Sequence, residues 1–227
     1  MSVIVYELAG ADPSVRFSPH CWKIIWALKH KGLEFERVPL RFNEIRKLDG
    51  KTVPVIHDGG RVLRDSFDIA LHLEETYSDR PSLFAGEGGR MLSRFVERWT
   101  QLAVHSYLGG AMLMDLFDII HEDDRDYFRA SREARFGRRL EEVPQGMEDR
   151  LGAFRATLQP VRAMVEAQPF IGGASPLFAD YIVAGALQWA RVASPMQVLE
   201  EDDPLAGWFE RILDLHGGIG RAAQARA

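Results

Sequence analysis

The spacing of apolar residues in the first third of the chain alternates between a strand period and a helix period. Short β-branched runs interrupted by charges predict strands, whereas the run PHCWKIIWAL has apolar residues at helical spacing and a proline in its first turn. An Asp-Gly-Gly sequence between two β-branched runs predicts a hairpin. The predicted elements are a strand at 3–7, a helix from 19 that ends before 32, a strand at 34–39, a short helical piece at 43–48, a hairpin within 51–63 and a helix from 66 to about 77. This order, βαβ followed by αββα, predicts a small domain of the α/β class.

The rest of the chain shows helical periods and no convincing strand. The segment YSDRPSLFAGEGGR is rich in glycine, proline and serine, as is typical of a connection between domains. We therefore predict a first domain at 1–80, a linker at 81–90 and an all-helical domain at 91–227. The charge-rich stretch REARFGRRLEE is interpreted as a solvated helix face. Helices are predicted at 91–120, 124–138, 147–167, 178–192 and 204–215, with Gly109 and Gly110 bending or breaking the first of them.

Charge and composition exclude several classes of function. A formal net charge of -5 leaves no broad basic surface for a phosphate backbone, so we expect no nucleic-acid partner. The N-terminal MSVIVYELAG has no Lys or Arg before its apolar run, and the run YIVAGALQWA is too short to cross a bilayer. We expect a soluble, cytoplasmic protein that does not bind membranes. The single cysteine forbids an internal disulfide, and the scattered histidines predict no metal site.

The stretch RFSPHCWK places a hydroxyl, Ser18, and the chain's only thiol, Cys21, at the start of a predicted helix. The N-terminus of a helix stabilises an anion, and a thiolate is such an anion. A thiol with a pKa of about 8.5 is roughly 3% ionised at pH 7, and a depression of about two units raises that fraction to roughly three quarters. The same residues have a purely structural interpretation, with Ser18 as a helix N-cap and Cys21 as a small buried hydrophobic residue.

Two further pairs of residues have both a structural and a functional interpretation. Pro54, after Val53, is either an edge-strand proline or a cis proline that exposes the preceding backbone to a ligand. Ser66 is an acceptable N-cap for the next helix. Alternatively, the amides of that helix bind a carboxylate and the neighbouring Asp65 binds an ammonium group. The second interpretation matches one end of an amino acid zwitterion.

The order of these pieces resembles the cytosolic glutathione transferase family. The first strand, the S-P-H-C helix start, the V-P-V strand, the D-S helix start and the all-helical second half together cover nearly the whole chain. The resemblance implies a thioredoxin-like domain followed by a helical domain, glutathione as co-substrate, and a homodimer. It implies that the backbone of Val53 binds the cysteinyl part of glutathione beside a cis Pro54. Asp65 and Ser66 would bind the γ-glutamyl end, and Ser18 would face the thiol.

A finer similarity is to the serine-type group that includes bacterial lignin β-aryl etherases and related fungal glutathione transferases. It implies that the Ser18 hydroxyl activates the thiolate of glutathione for attack on a small hydrophobic or aromatic electrophile, with aryl ethers among the candidates. The electrophile is expected between the domains, against Phe17, His20 and Tyr107. The stretches that carry this similarity are RFSPHCWKIIWALKHKGLEFE, RASREARFGRRLEEV, GMEDRL, FADY and EDDPLAGWFERILDLHGGIGR.

Two departures from the family pattern affect the interpretation. The family commonly has Ser, Thr or Asn three residues before an Asp at one helix start in the second domain, where this chain has Leu177 before Asp180. The S-P-H-C stretch also resembles the C-P-x-C of glutaredoxins with Ser18 in place of the first cysteine, and a serine cannot exchange disulfides. Two alternatives to the enzyme remain at this point: a non-catalytic, glutathione-dependent ligand-binding protein (ligandin), and a thiol transferase that uses Cys21.

Overall fold

The computed structural model describes residues 3–48 and 52–227, and its N-terminal part is built on one mixed sheet of four strands. The strand order is β2-β1-β3-β4, with β1 parallel to β2 and antiparallel to β3. The predicted thioredoxin-like βαβ-αββα arrangement is confirmed. Lys51, the first residue of the predicted hairpin segment, lies outside the described residues. The elements are β1 (Val3–Leu8), α1 (Pro19–His30), β2 (Phe35–Leu40), α2 (Phe42–Ile45), β3 (Val55–Asp58), β4 (Arg61–Arg64) and α3 (Ser66–Thr76).

The predicted hairpin is formed by β3 and β4, and it determines where two candidate site residues lie. The two glycines of its turn have φ of 55° and 85°, as a two-residue turn of this kind requires. The resulting register pairs Val55 with Arg64. Pro54, directly before β3, and Asp65, directly after β4, therefore lie at the same end of the hairpin.

The remainder of the described chain is helical, as predicted. A π-helical segment, Thr100–His105, joins the first two of its helices without a loop. The helices are α4 (Glu87–Trp99), α5 (Ser106–Ala111), α6 (Leu113–Ile119), α7 (Glu122–Phe136), α8 (Leu151–Thr157), α9 (Gln159–Ala167), α10 (Phe178–Ala193) and α11 (Pro204–Gly218).

The single helices predicted at 91–120 and 147–167 are both divided in the structure. The first begins earlier, at Glu87, so that the last four residues of the predicted linker are helical. Its break lies at Met112, with φ −94° and ψ 13°, two residues after the glycine pair that was expected to cause it. The second is divided at Leu158, directly before α9, which has Pro160 in its first turn. A proline cannot donate the backbone hydrogen bond that would continue the preceding helix.

Helices α1 and α10 form the main contact between the sheet region and the helical region. Both are buried along most of their length. They approach so closely at Gly185 that a Cβ on this residue would lie 2.5 Å from the backbone oxygen of Pro19. A glycine is therefore required where α10 passes the first turn of α1. This contact holds the N-terminus of α1, which carries Ser18, against the helical region.

Asp180 organises the start of α10 despite the leucine at the expected cap position. Its carboxylate accepts hydrogen bonds from the backbone amides of Ile171 (2.7 Å), Gly172 (2.9 Å) and Leu177 (2.9 Å). The indole nitrogen of Trp208 donates a fourth, at 3.1 Å. Burial raises the pKa of Asp180, and these donors partly counteract that rise. One carboxylate thus fixes the loop before α10, the helix start and the packing of α11.

Candidate active site

Two adjoining cavities meet at the N-terminus of α1. The first has a volume of about 450 Å³ and a largely polar lining. The second has a volume of about 380 Å³ and a mostly apolar lining that includes Phe17, Ser18 and Trp189. His20 and Gln101 line both cavities. The first cavity is lined by His20, Thr52, Val53, Pro54, Arg64, Asp65, Ser66, Asp68, Glu97 and Gln101.

Ser18 is the N-cap of α1. Its backbone is extended, with φ −68° and ψ 121°, and its Oγ accepts a hydrogen bond from the amide of Cys21 at 3.3 Å. Because the oxygen acts as the acceptor in this bond, the hydroxyl keeps its own proton for another partner. The side chain therefore combines the structural role of a cap with the ability to donate at a helix N-terminus, where an anion is favoured.

Cys21 points away from both cavities into the core. It is 1% exposed, and burial, reinforced by the nearby negative charge of Glu7, raises its pKa to about 12. The Ser18 hydroxyl and Arg37 favour the thiolate but do not offset the burial. The thiol is therefore protonated at neutral pH and has the properties of a small hydrophobic side chain.

Four of the five residues expected to bind glutathione, Val53, Pro54, Asp65 and Ser66, line the first cavity, and the fifth, Ser18, lines the second. The peptide bond between Val53 and Pro54 is cis, as the resemblance implied. Asp65, not Ser66, is the N-cap of α3, and Ser66 is the first residue of that helix. Asp65 has a φ of 67°, an uncommon and strained value for a residue other than glycine.

The carboxylate of Asp65 uses only one of its oxygens as a cap. Oδ1 accepts the amides of Phe67 at 2.8 Å and Asp68 at 3.2 Å. The other oxygen, Oδ2, has no hydrogen bond of its own to these amides and can accept from a ligand. A cationic group bound here would lie beside the amides at the start of α3.

A buried cation lies beneath the first cavity, and the sequence analysis did not identify it. Lys23 is 1% exposed; its Nζ lies 3.1 Å from Nδ1 of His20 and 3.5 Å from a carboxylate oxygen of Glu97. Burial lowers the pKa of Lys23, and Glu97 and Asp65 counteract this. A basic residue on a helix face that is otherwise apolar was the signal in the sequence, but its partner comes from α4.

Two histidines lie between the cavities with their rings in edge contact. The ring centroids of His20 and His105 are 5.2 Å apart. Burial lowers the pKa of His20 well below its usual value, and the positive charge of Lys23 acts in the same direction. Burial also lowers the pKa of His105 to about 3. Both rings are therefore neutral at pH 7, and neither is basic enough to retain a proton taken from a thiol.

The second cavity is mostly apolar but includes two arginines. Phe42 of α2 and Phe128 of α7 form part of its wall, with ring centroids 5.7 Å apart. The guanidinium of Arg132 lies 4.6 Å from the centre of the Phe128 ring, and Arg135 also lines the cavity. The interpretation of REARFGRRLEE as a solvated face is thus wrong for Arg132, which is half-buried because α7 packs against α2, whereas Arg135 is exposed although it also lines the cavity.

Tyr107 was expected in the substrate pocket. The described residues that line the second cavity do not include it. It lines a neighbouring cavity of about 470 Å³. Its hydroxyl donates to the backbone oxygen of Met147 at 2.9 Å, and its ring stacks on Phe154 with centroids 4.1 Å apart. Tyr107 thus lies outside the cavity in which it was expected, because these contacts hold its ring on the other side of α5. Phe17 and His20, the other two residues expected there, do line the second cavity.

Metal sites and membrane-spanning helices are two further kinds of feature to consider. Within residues 3–48 and 52–227, no group of three or more His, Cys, Asp or Glu side chains is placed to hold a metal ion. Across the same residues, every helix is too short or too polar to cross a bilayer.

Family models match both halves of the chain. The model described as "Glutathione S-transferase, N-terminal domain" matches residues 17–76, and "Glutathione S-transferase, C-terminal domain" matches residues 91–218. The chain is also 26% identical over 141 residues to the glutathione S-transferase-like protein ustS of Aspergillus flavus. That alignment covers 56% of this chain and 50% of the relative, so the chain spans about half the length of this curated protein.

Solved structures of fungal proteins have the same fold over nearly the full length. Glutathione transferase GSTFuA3 from Phanerochaete chrysosporium is 27% identical, with a TM-score of 0.77 over 98% of this chain and 94% of that one. The glutathione S-transferase CsGST63524 of Ceriporiopsis subvermispora, solved in complex with glutathione, is 23% identical, with a TM-score of 0.81 over 93% of this chain and 97% of that one. Because the matched C-terminal model alone spans more than half of the sequence, this chain belongs to the glutathione S-transferase family.

Proposed function

We propose that this protein is a glutathione transferase in which the hydroxyl of Ser18 stabilises the thiolate of glutathione for attack on a small aromatic or otherwise hydrophobic electrophile. The observation that carries the proposal is the position of Ser18. Its oxygen caps α1 where a cavity with a largely polar lining adjoins a mostly apolar one. Glutathione is the co-substrate of the family, and the two cavities match its peptide and an apolar acceptor respectively.

In the proposed complex the γ-glutamyl end of glutathione occupies the end of the β3–β4 hairpin. Its carboxylate accepts from the amides at Ser66, at the N-terminus of α3, and its ammonium donates to Asp65. The cysteinyl backbone pairs with that of Val53. This arrangement directs the thiol towards the first turn of α1.

The chemical step needs no protein base. Ser18 donates its O–H to the sulfur, and the amides and dipole of α1 further favour the anion. The buried charge of Lys23, one turn into the same helix, acts in the same direction. The thiol proton leaves to solvent, the sulfur forms a bond to the electrophilic carbon, and the leaving group departs with its electron pair. With an aryl ether, the leaving group is a phenolate.

The test is an ultraviolet titration of bound glutathione against pH. We expect the bound thiol to ionise at or below neutrality in the natural protein, against about 8.5 for an ordinary thiol, and the Ser18→Ala variant to lose at least about one unit of that depression. Cys21→Ala is the matched control and should keep the depression, because Cys21 lies in the core. Glutathione bound with an unshifted thiol pKa in the natural protein would refute the proposal.

The ligand-binding alternative is favoured by one observation, the apolar cavity of about 380 Å³ beside Ser18. It predicts binding of aromatic ligands with no acceleration of thiol chemistry, and a screen of electrophiles that includes aryl ethers separates the two functions. The thiol transferase alternative is opposed by the burial of Cys21 and by its raised pKa of about 12. That alternative requires a mixed disulfide between Cys21 and glutathione, which mass spectrometry would detect.

We further propose that the protein is a homodimer and that it acts in the cytoplasm, where thiols are kept reduced. The support for the dimer is a set of exposed apolar side chains on and beside α4: Met91 is 52% exposed, Phe95 is 68% exposed and Leu102 is 77% exposed. A cluster of this kind is typical of a protein interface.

A further inference from the structure

The second cavity contains positive charge without a matching carboxylate. Arg132 and Arg135 line it, and none of its described lining residues is Asp or Glu. Arg132 contacts the Ser131 hydroxyl at 3.1 Å and the faces of Phe42 and Phe128. Burial lowers the pKa of Arg132, and the nearby charge of Arg135 adds to that effect. The cavity therefore holds a partly buried cation whose desolvation is not offset by an ion pair with a described residue.

Another arginine on the same helix, Arg129, has the ion pairs that Arg132 lacks. Arg129 lies 3.2 Å from Glu133 and 2.7 Å from Glu141. Acidic residues thus neutralise Arg129, whereas the two arginines that line the cavity, Arg132 and Arg135, have no ion pair with a described residue. A cation that lacks a partner in an otherwise apolar cavity favours a ligand that brings the anion with it.

His105 adds a polar atom that also lacks a partner. Its Nε2 is buried and makes no hydrogen bond to any described residue, although His105 lines the same cavity. Its ring lies edge-on to Trp189, with centroids 5.7 Å apart. A buried imidazole nitrogen without a partner is costly unless a ligand or water supplies one. An oxygen of a bound ligand would meet that need.

We propose that the second cavity selects aromatic electrophiles that carry an anionic group, and that Arg132, assisted by Arg135, binds that group. The inference rests on the proposed function, because it identifies the class of the second substrate. It also changes the expectation from sequence, in which the electrophile was simply apolar. The aromatic frame packs against the phenylalanine and tryptophan side chains, the anion lies against α7, and the electrophilic carbon faces Ser18.

A pair of matched electrophiles tests this selection. 4-Chloro-3,5-dinitrobenzoate is anionic, and 4-chloro-3,5-dinitrobenzamide is neutral and almost the same size. In both, the glutathione sulfur forms a bond to the ring carbon, chloride leaves with the electron pair of the broken bond, and the thiol proton goes to solvent. The measured quantity is the ratio of kcat/KM for the benzoate to kcat/KM for the benzamide, corrected for the uncatalysed rates and taken at saturating glutathione.

We expect the natural protein to prefer the benzoate by about tenfold or more, the usual effect of a charge-assisted hydrogen bond. The variant Arg132→Gln should lose most of that preference, and Arg132→Lys should recover part of it. Arg129→Gln is the matched control, since Arg129 is ion-paired and does not line the cavity, and it should keep the preference. Equal rates for the two compounds in the natural protein would overturn the inference and leave the transferase proposal intact.

Two further measurements separate the possible failures. Calorimetric titration with 3,5-dinitrobenzoate and 3,5-dinitrobenzamide measures the selection without turnover. If the benzoate binds more tightly but neither chlorinated compound reacts, the proposed function fails and the anion site stands. The Arg132→Gln variant could instead raise the KM for glutathione and leave the benzoate preference unchanged. Arg132 would then bind a carboxylate of glutathione, and the inference that it binds an anionic electrophile would be wrong.

Discussion

At the scale of single residues, Asp65 has features that a helix cap alone does not require. Its φ of 67° is strained for a side chain with a Cβ, although many residues can cap a helix from an unstrained backbone. Both capping amides use the same carboxylate oxygen. The second oxygen is therefore left for a ligand in the first cavity, which Asp65 lines together with Val53 and Pro54.

We expect Asp65→Asn to raise the KM for glutathione by about tenfold or more while changing kcat little. Asparagine keeps an oxygen for the capping amides but loses the charge that attracts the ammonium group. The control changes the peptide and keeps the protein. Glutaryl-cysteinylglycine is glutathione without its α-amino group. The natural protein and Asp65→Asn should have similar KM values for it. If the variant weakens both peptides equally, Asp65 acts only as a cap.

The candidate residues differed in how far the sequence could locate them. Ser18, Pro54 and Asp65 begin or precede regular elements, and such positions are determined by local sequence, so they could be named from spacing. His105 and Arg132 line the site only because distant elements pack together. Their periodicity along the chain is that of an ordinary surface or core residue, and only the tertiary structure shows what they face.

At the scale of elements, the position of α7 decides the shape of the second cavity. Asp124, in the first turn of α7, accepts the backbone amides of Phe42 at 3.1 Å and Asn43 at 2.8 Å. This pairing joins the two halves of the chain across 81–82 residues of sequence. An acidic residue early in a helix is expected because it interacts favourably with the dipole of that helix. Nothing in the local pattern therefore indicates that Asp124 caps another helix. The strands and the order of helices were predictable, whereas this docking was not.

The close contact of α1 and α10 gives a prediction that links packing to chemistry. We expect Gly185→Ala to destabilise the protein by about 1–3 kcal/mol, because the added methyl group would overlap the Pro19 oxygen. The displaced first turn of α1 should also raise the thiol pKa of bound glutathione. Both effects are measured together, by denaturant unfolding and by the ultraviolet titration.

Gly152→Ala is the matched control for this substitution. Gly152 also lies within a helix, α8, and a Cβ there would meet no atom within 4 Å. The variant should be unchanged or more stable by about 0.5–1 kcal/mol, since alanine favours the helix. If Gly185→Ala and Gly152→Ala have the same stability, the α1–α10 contact is more easily adjusted than its geometry indicates.

At the scale of the whole molecule, a partly buried chain of hydrogen bonds connects helices α1, α10 and α11. His30 Nδ1 lies 2.8 Å from the Tyr181 hydroxyl, and that hydroxyl lies 3.0 Å from Nε2 of His216. Because Nε2 of His30 faces the backbone oxygen of Ser82 at 3.0 Å, it must donate, and Nδ1 then accepts from Tyr181. The tyrosine oxygen accepts in turn from His216. The chain requires a neutral ring at His30, whose Nδ1 must accept, whereas His216 can donate from Nε2 in either protonation state.

The lowered pKa values of the two histidines predict that the protein loses stability in mild acid. Burial lowers the pKa of His30, and it lowers that of His216 to about 4. In the unfolded chain both titrate near pH 6.5. The unfolded state therefore binds more protons between about pH 6.5 and 4, so the free energy of unfolding should be constant above that window and fall as the pH drops through it.

The measurement is the melting temperature of the natural protein and of His216→Asn at pH 7.5 and pH 5. Asparagine tolerates the φ of 53° at this position, and its side chain does not titrate; it is too short to replace Nε2 as donor to Tyr181, so that bond is lost equally at both pH values. We expect the melting temperature of the variant to fall less between the two pH values, because the variant lacks the titration of His216. The other titrating groups are common to both proteins and cancel in the comparison. An equal fall in both proteins would show that His216 does not contribute.

The exposed side chains of Met91, Phe95 and Leu102 bear on the assembly of the molecule. The intervals of four and seven residues place all three near one side of the helical segment. Phe95 lies at the centre of this set and makes the best test of the proposed homodimer. We expect sedimentation velocity to give about twice the mass of one chain for the natural protein and about one chain mass for Phe95→Glu, because a buried charge without a partner opposes association.

Ala134→Glu, which adds the same charge on the exposed face of α7, is the control and should remain dimeric. Phe95 lines neither cavity, so the substitution itself should leave glutathione binding intact. Loss of binding together with loss of the dimer would mean that the association also holds α4, and with it Glu97 and Lys23, in position. A natural protein that sediments as a monomer at every concentration would exclude the dimer and leave the apolar surface of α4 to a different partner.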